Sequence, residues 1–254
     1  WCPAATLEEF ADAVAELGIP VIAKAARFGY DGKGQLRIDD LAQIEAAWET
    51  LEHQRLVVES VIVFERELSV VVARGVDGTM IDHGVMENEH VNHILDLTVV
   101  PAEVSDLTMA AARQIAHDTA IALDLVGVLC VELFDTADGI LVNEIAPRPH
   151  NSGHCTIEAA AASQFEQQLR AVTGMPLGDG SCRPAAMVQL LGDLWDDGAP
   201  DFGRVLVEPD IHLHLYGKSD ARPGRKMGHL TCVGDDPTHV RQRVGDVRAA
   251  LTGR

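Results

Sequence analysis

The sequence predicts an α+β protein, and three observations support this class. Two segments, 6–17 and 107–125, carry apolar residues at helical spacing. Short apolar or alternating segments between and after them are typical of strands. The segment 127–154 contains two apolar runs separated by Asp138-Gly139, which predicts a β-hairpin. The chain therefore combines amphipathic helices with groups of strands.

The individual elements follow from local signals. Thr6 and Glu9 form a capping box at the start of the first helix, and Gly18 ends it. The strand at 20–27 presents Lys24, and the glycine-rich loop 28–35 follows it. The remaining predicted elements are a helix at 41–51, strands at 56–59, 65–73, 79–85 and 93–100, the helix at 107–125, a helix at 164–172, strands at 185–191, 212–216 and 230–233, and a closing helix from about 237.

The hairpin predicts a pair of facing carboxylates. A three-residue loop ending at Gly139 would pair Thr136 with Ile140 and place Glu132 directly opposite Glu144. At about 4 Å and an effective dielectric constant near 20, two such charges repel by roughly 4 kcal/mol. A shared proton or a divalent cation would relieve this repulsion, and two carboxylates favour Mg²⁺ or Mn²⁺. The alternative is a solvated hairpin, which we disfavour because both glutamates lie within apolar runs.

Composition limits the possible classes of function. The chain has 254 residues, 47% hydrophobic content and a formal net charge of −19. Such an acidic chain is not expected to bind nucleic acid nonspecifically, because that binding depends on lysine and arginine. The longest apolar runs are too short for a membrane span, and no secretory leader is recognisable, so we expect no membrane association and a cytoplasmic location. The five cysteines lack metal or redox spacing and are expected to be reduced thiols.

Two glycine-containing loops have basic residues. Loop 28–35 places Lys33 between glycines, which could bring backbone N–H groups and a cation close to phosphate, or could be an ordinary turn between strands. Loop 216–229 concentrates positive charge in an acidic chain, which indicates either a phosphate clamp or a solvated loop. Its basic residues are Lys218, Arg222, Arg225 and Lys226.

The order of these features resembles a known superfamily. Lys24, the string GYDGKGQ, Glu59, Glu67 and a strand glutamate followed by Asn-Glu occur in the order found in ATP-grasp proteins. Four strings are more specific and resemble the PurK-type 5-(carboxyamino)imidazole ribonucleotide synthase family: GYDGKGQ, NEIAPRPHNSGH, SQFEQQLRA and YGK…RPGRKMGH. This resemblance covers nearly the whole chain, from about Gly18 to the closing helix.

The resemblance implies a domain organisation. In the ATP-grasp fold two α+β subdomains clamp ATP, here expected as a small subdomain with the glycine-rich lid at 1–60 and a large subdomain with the metal site at 61–178. A small β-rich C-terminal domain at 179–254 would contribute to the ribonucleotide site. Family members also begin with a nucleotide-fold domain that helps form that site. This sequence does not contain it, so we expect ATP binding with weak turnover.

The resemblance also implies roles for individual residues. The nucleotide would be bound by Lys24, Gly29, Gly32, Lys33, Gly34, Glu59, Glu67 and Asn143. Mg²⁺, with Mn²⁺ as a substitute, would be held by Glu132 and Glu144. The bicarbonate-derived intermediate and the acceptor amine would be surrounded by Tyr30, Asp31, Arg148, His150 and Asn151. The ribonucleotide would be held by Lys218 and Arg225, together with Arg148 and Asp31.

The implied activity is ATP-dependent carboxylation of 5-aminoimidazole ribonucleotide in purine biosynthesis. ATP would phosphorylate bicarbonate to carboxyphosphate, and the carboxyl group would then reach the exocyclic amine, releasing phosphate. The expected assembly is a homodimer. Two alternatives remain open: another ATP-grasp carboxylase or formyltransferase, which PRPHNSGH and the basic loop disfavour, and a truncated nucleotide-binding module without full activity.

Overall fold

A computed structural model describes residues 1–27 and 34–252 and confirms the α+β class. The strands within these residues are β1 (Cys2–Ala4), β2 (Val21–Ala25), β3 (Gln35–Ile38), β4 (Leu56–Ser60), β5 (Arg66–Arg74), β6 (Met80–Val91), β7 (Ile94–Val100), β8 (Gly127–Thr136), β9 (Gly139–Ala146), β10 (Ala185–Leu191), β11 (Ile211–Leu215) and β12 (Lys226–Val233). The α-helices there are α1 (Leu7–Leu17), α2 (Ile44–Thr50), α3 (Asp106–Ala122), α4 (Thr156–Ala159), α5 (Gln164–Val172) and α6 (Pro237–Thr252). None of the helices in this described part is long and apolar enough to cross a bilayer.

The chain divides into two compact units, and the smaller one comprises Trp1–Val63 with Asn92–Ile94. Its antiparallel sheet has the strand order β1-β4-β2-β3. Buried residues of α1 and α2, including Phe10 and Trp48, pack with the sheet residues in one core. The predicted helix start is confirmed, because the Thr6 side chain accepts a hydrogen bond from the backbone N–H of Glu9 at 3.2 Å.

The larger unit comprises Phe64–Val91 and Leu95–Arg254. Its described residues form an eight-stranded sheet in the order β11-β12-β10-β7-β6-β5-β8-β9. The sequence places a boundary between residues 178 and 179, but the strands after it join this same sheet, since β10 pairs with β7 through partners such as Met187 and Thr98. The strands on both sides of residue 178 are therefore hydrogen-bonded in one sheet.

The two faces of the large sheet carry different layers. On one face, Val70 and Val72 of β5 share a core with the alanines of α3, and Val188 of β10 shares a core with α6. On the other face, residues such as Val71 pack with Cys155 and with Ala159 of α4. Successive strand side chains point to opposite faces, so neighbours such as Val70 and Val71 belong to different layers.

Strand β6 extends six residues beyond its predicted end at Val85 and reaches Val91. The polar segment Glu87–His90 kept this region out of the strand prediction. Asn88 is nevertheless buried in the sheet, and the side chain of His90 is ion-paired with Glu67. The pattern failed because this part of the sheet buries polar groups as well as apolar ones.

Candidate active site

The tip of the β8–β9 hairpin differs from the prediction by one residue. Thr136 pairs with Gly139, so the turn has two central residues, and Ile140 pairs with Asp135. The predicted pairing of Thr136 with Ile140 is therefore wrong. Gly139 has φ of +121°, a conformation that is unfavourable for residues with a side chain.

A register shift farther along the hairpin compensates for this difference. Leu133 pairs with Val142, and the next pair is Glu132 with Glu144, which leaves Asn143 as the extra residue of a β-bulge. The predicted placement of Glu132 directly opposite Glu144 is thus confirmed, although by a different route. Cross-strand partners project from the same face of a sheet, so the two carboxylates belong to one face.

The two glutamates have unequal environments. Glu132 lies between β5 and β9, and its Oε1 is 3.0 Å from Nε2 of His150. Glu144 is exposed, because β9 is the edge strand of the sheet and its apolar residues Val142 and Ile145 are exposed as well. An unpaired charge would therefore be costly at Glu132, as predicted, but not at the exposed Glu144.

Glu132 and His150 form a partly buried ion pair. Burial alone would raise the pKa of Glu132, but the hydrogen bond and the charge of His150 outweigh it and lower this pKa below its usual value. Burial alone would lower the pKa of His150, but the interactions with Cys130 and Glu132 raise it to about 10. Glu132 is therefore the anionic partner of this pair at neutral pH.

The segment after β9 is a tight turn that carries three of the predicted residues. His150 precedes a single 3₁₀ turn, Asn151–Cys155. The buried Gln164 side chain accepts from the backbone N–H of His150 at 2.8 Å and donates to its carbonyl oxygen at 2.7 Å. A Cβ on Gly153 would lie 2.7 Å from this same amide, so glycine is needed there.

Arg148 and Asn151 lie on either side of His150. The Arg148 guanidinium is exposed and donates to the carbonyl oxygen of Pro149 at 3.1 Å. Asn151 Oδ1 accepts from Nε2 of the buried Gln189 at 2.9 Å. Asn151 Nδ2 is buried without a hydrogen-bond partner among the described residues, so it is available as a donor to a bound group.

Glu67 lies on the same sheet, on the strand next to β8. It pairs across the strands with Asn88, and its Oε2 is 2.8 Å from Nδ1 of His90. Asn143 Nδ2 is 3.4 Å from Oε2 of Glu132, which ties the bulge to the glutamate pair.

Two predicted nucleotide residues lie in the smaller unit. Nζ of Lys24 is 2.7 Å from Oε2 of Glu59, and both side chains are about one-third exposed. The structure brings them together because β2 and β4 are antiparallel neighbours. Gly34 has φ of +75° at the end of the glycine-rich loop. The other predicted residues of this loop lie outside the described residues: Gly29, Tyr30, Asp31, Gly32 and Lys33.

The basic loop between β11 and β12 contains its own carboxylate. Lys218 Nζ donates to the carbonyl oxygen of Lys226 at 2.6 Å. Arg225 donates to the carbonyl oxygen of Asp220 at 2.7 Å, and Nε of Arg222 is 2.8 Å from the Asp220 carboxylate. Asp220 therefore orders two of the arginines and partly neutralises the charge of the loop.

Imidazoles and a phenol gather at the base of this loop. The ring centroids of His214 and His229 are 4.5 Å apart, and that of His154 is 5.3 Å from that of His229. Tyr216 Oη is 2.9 Å from Nδ1 of His229, and His214 Nε2 is 2.5 Å from Glu158 Oε1. Burial, reinforced by neighbouring positive groups, lowers the pKa of His154 to about 4 and that of His229 to about 3. Both rings are neutral at pH 7.

Several polar residues that shape this region were not predicted from the sequence. They lie inside strands or helices and form no spaced motif; they are Ser69, Asn88, His90, Thr98, Gln164, Gln189 and His229. The available signal was weak. A polar residue at an inward-facing strand position, such as Gln189, indicates a buried hydrogen bond but does not name its partner.

The carboxylate pair suits a hard metal ion. Within the part of the chain that the structure describes, no group of three or more His, Cys, Asp and Glu residues could hold a metal by itself. Mg²⁺ is commonly held by one or two carboxylates, with water and phosphate oxygens completing its octahedron. Glu132 and Glu144 supply two carboxylates of this kind from adjacent strands.

Two family models match this chain. The model of the ATP-grasp domain matches residues 1–165, and that of the phosphoribosylaminoimidazole carboxylase C-terminal domain matches residues 185–243. The chain is also 45% identical to the N5-carboxyaminoimidazole ribonucleotide synthase of Bacillus subtilis over 232 residues, covering 89% of this chain and 59% of that protein. The enzyme of the same name from Vibrio parahaemolyticus is 42% identical over 247 residues, covering 94% and 63%. The chain thus spans about three-fifths of the length of these curated relatives.

Solved structures agree with this match. An ADP complex of a PurK N5-carboxyaminoimidazole ribonucleotide synthetase superposes with a TM-score of 0.89 at 38% identity, over 97% of this chain and 65% of that one. The Aspergillus clavatus synthase in complex with ADP and 5-aminoimidazole ribonucleotide gives 0.86 at 31% identity, over 99% and 67%. The chain therefore belongs to the ATP-grasp superfamily and, within it, to the family of N5-carboxyaminoimidazole ribonucleotide synthases.

Proposed function

We propose that this chain binds ATP and acts in the carboxylation of 5-aminoimidazole ribonucleotide by bicarbonate, forming N5-carboxyaminoimidazole ribonucleotide, ADP and phosphate. The observation that carries the proposal is the cross-strand pair of Glu132 and Glu144 beside the His150 turn. Family membership and the names of the relatives support it. Because the chain spans about three-fifths of those relatives, the activity is assigned to the protein that contains it.

The nucleotide roles follow from charge and hydrogen-bonding capacity. Lys24 would contact the phosphates, since an ammonium has three N–H donors and can bind phosphate oxygens while it remains near Glu59. Glu59 and the backbone after it would meet the adenine, and Glu67 would accept hydrogen bonds from the ribose hydroxyls. The loop glycines Gly29, Gly32 and Gly34, with Lys33, would cover the phosphates.

Glu132 and Glu144 would hold Mg²⁺ or Mn²⁺, with Asn143 beside them. When bound, the ion would neutralise charge on the phosphates and orient them. The ion pair with His150 keeps Glu132 ionised, as a metal ligand must be.

The chemistry is phosphoryl transfer followed by carboxyl transfer. A bicarbonate oxygen attacks the γ-phosphorus of ATP, the bond to ADP breaks, and carboxyphosphate forms. The exocyclic amine of the ribonucleotide then attacks the carboxyl carbon, directly or after release of CO₂, and phosphate leaves as the amine loses a proton. Such reactions depend mainly on positioning and on charge stabilisation by the protein.

The residues of the turn suit the carboxyl group. Arg148 offers a planar, bidentate donor to a carboxylate-like anion. Asn151 Nδ2 adds a donor from the same turn. His150, Tyr30 and Asp31 would also take part in binding this group, as the family resemblance implies. Lys218 and Arg225 of the basic loop would bind the phosphate of the ribonucleotide, assisted by Arg148 and Asp31. Bicarbonate, the metal ion, a homodimer and a cytoplasmic location are parts of this proposal.

The test is ADP production by the longest natural form of the polypeptide. In bicarbonate buffer with Mg²⁺, ADP production should rise when 5-aminoimidazole ribonucleotide is added and should stop when the metal is chelated. Glycinamide ribonucleotide with formate, and biotin, serve as control acceptors. Stimulation by a control acceptor, or no rise with 5-aminoimidazole ribonucleotide, would refute the assigned substrate.

A further inference from the structure

A continuous chain of hydrogen bonds runs through the middle of the large sheet. It begins on β7, where Thr98 Oγ1 donates to Asn88 Oδ1 on β6 at 2.9 Å. Asn88 Nδ2 then donates to Ser69 Oγ on β5 at 2.9 Å. Ser69 Oγ in turn donates to Ser152 Oγ, in the turn above the sheet, at 2.9 Å.

The same chain continues to the glutamate pair. Ser152 Oγ is 2.9 Å from Nδ1 of His150, and Nε2 of His150 is 3.0 Å from Oε1 of Glu132. Both ring nitrogens of His150 are thus engaged, one by a hydroxyl and the other by a carboxylate. We call Thr98, Asn88 and Ser69 the polar spine, since they connect three strands to this imidazole.

The polar spine lies within an apolar environment. Ser69 and Thr98 are fully buried, and Asn88 is 6% exposed. Two positions along β5 and β7, on the same face, Val71 and Val100 belong to the hydrophobic core. Burying hydroxyl and amide groups is unfavourable unless every group is paired, and the net gain from each paired hydrogen bond is only about 1 kcal/mol. Apolar residues would serve stability as well, so the spine calls for another role.

We propose that Thr98, Asn88 and Ser69 are positioning residues that orient the His150 imidazole and, through it, the Glu132 carboxylate toward the metal-bound nucleotide. The inference rests on the proposed function, since it assigns Glu132 to the metal. A serine hydroxyl rotates freely unless its partners fix it, and Ser69 supplies the fixed donor to Ser152. Outer partners of this kind set the orientation of metal-ligating groups.

Three variants separate positioning from packing. Ser69→Ala removes the donor to Ser152, and Thr98→Val removes the first link while keeping the side-chain shape. Thr231→Val is the matched control. Thr231 and Thr98 are both fully buried and flank Met187 in one row of the sheet, but Thr231 Oγ1 has no hydrogen-bond partner among the described residues.

Calorimetry would measure ADP binding with Mg²⁺ and with a chelator. We expect Ser69→Ala to weaken Mg²⁺-dependent ADP binding by roughly 10-fold and Thr98→Val by less, the lower range for outer partners of a metal ligand. Binding in the presence of chelator should stay the same, and Thr231→Val should match the unsubstituted protein in both conditions.

A spectroscopic measurement on the protein without nucleotide tests the spine separately. In ¹⁵N-histidine NMR spectra, assigned with His150→Gln, the His150 signals should shift in Ser69→Ala and Thr98→Val and stay unchanged in Thr231→Val. Unshifted His150 signals, or equal losses of Mg²⁺-dependent binding in all three variants, would overturn the proposal. Should Ser69→Ala not fold, Thr98→Val decides the outcome by the same two measurements.

A different result would refute the proposed function. If the unsubstituted protein did not bind ADP with Mg²⁺, the metal and nucleotide assignment would be refuted. The NMR comparison would still show whether the spine positions His150.

Discussion

One face of the large sheet has two halves of opposite character. In the apolar half, Val71, Val100 and Cys130 are packed beneath Cys155 and Ala159. Two positions farther along the same strands, Ser69, Thr98 and Glu132 are buried or half-buried and hydrogen-bonded. The backbone is the same strand structure in both halves. The halves differ in what covers them, because residues 150–152 bring imidazole, amide and hydroxyl groups to the polar half, whereas Cys155 and Ala159 cover the apolar half.

On this face, the burial of a side chain and its polarity have separate causes. Strand alternation decides which side chains point to this face. The buried groups of Ser69, Asn88 and Thr98 avoid the cost of about 1–3 kcal/mol for an unpaired polar group, because they pair with one another and with Ser152 of the turn.

The largest expected effect is on catalysis at the polar end. Glu144→Gln should reduce Mg²⁺-dependent ATP turnover at least roughly 100-fold, because a metal ion stabilises phosphoryl transfer by several kcal/mol. Thermal unfolding should be nearly unchanged, since Glu144 is exposed. Asp138→Asn, an exposed carboxylate in the turn of the same hairpin, is the control and should retain activity. An unchanged rate for Glu144→Gln would reject its metal role.

The next largest effect is expected from a substitution that introduces a hydroxyl into the apolar half. Val71→Thr should lower the free energy of unfolding by roughly 1–3 kcal/mol, because the new hydroxyl is buried among apolar side chains. Val76→Thr changes an exposed valine in the same way and should cost little. Denaturant unfolding measures both. Equal stabilities would mean that the two halves tolerate polar groups alike.

A pH-dependent effect follows from the neutral imidazoles of His154 and His229 at the base of the basic loop. The pKa of His229 is about 3 in the folded protein, below the ordinary value of 6.5, so the unfolded chain binds a proton first as the pH falls. Folding stability is therefore lost below about pH 6.5. His229→Asn should remove roughly 2 kcal/mol of the loss between pH 7 and pH 5.

Denaturant unfolding at the two pH values tests this prediction. Asparagine keeps a polar atom near Tyr216 without a titrating ring, so the comparison isolates protonation from the hydrogen bond. A variant that loses the same stability at every pH, with an unaltered acid-side slope, would contradict the neutral state assigned to this ring.

The smallest effect concerns the hairpin tip, outside both halves. Gly139→Ala should destabilise the protein by about 1 kcal/mol, because φ is +121° while the space around a new Cβ is open. Gly245→Ala, inside α6 and also with open space, should instead stabilise by up to about 1 kcal/mol. Opposite signs in thermal unfolding would support the positive-φ turn, and equal signs would contradict it.

The sequence predicted more of the hairpin than of the polar spine. The prediction that Glu132 faces Glu144 used a three-residue turn, but a two-residue turn together with a bulge produces this pairing. The bulge at Asn143 was not predictable, because no residue type requires a bulge there. The burial of Ser69 and Asn88 was also missed, since their partner Ser152 lies 83 positions from Ser69 in the chain.

The sequence by itself determined most of the helices and strands, the hairpin and the family, because periodicity, turn residues and ordered strings are local in the chain. The tertiary structure alone decided that Glu144 is exposed, that His150 pairs with Glu132 and that a polar spine supports them. Those facts depend on which strand lies at an edge and which turn covers a sheet. Both are set by packing between distant segments, where burial gives each charge and hydroxyl its energy.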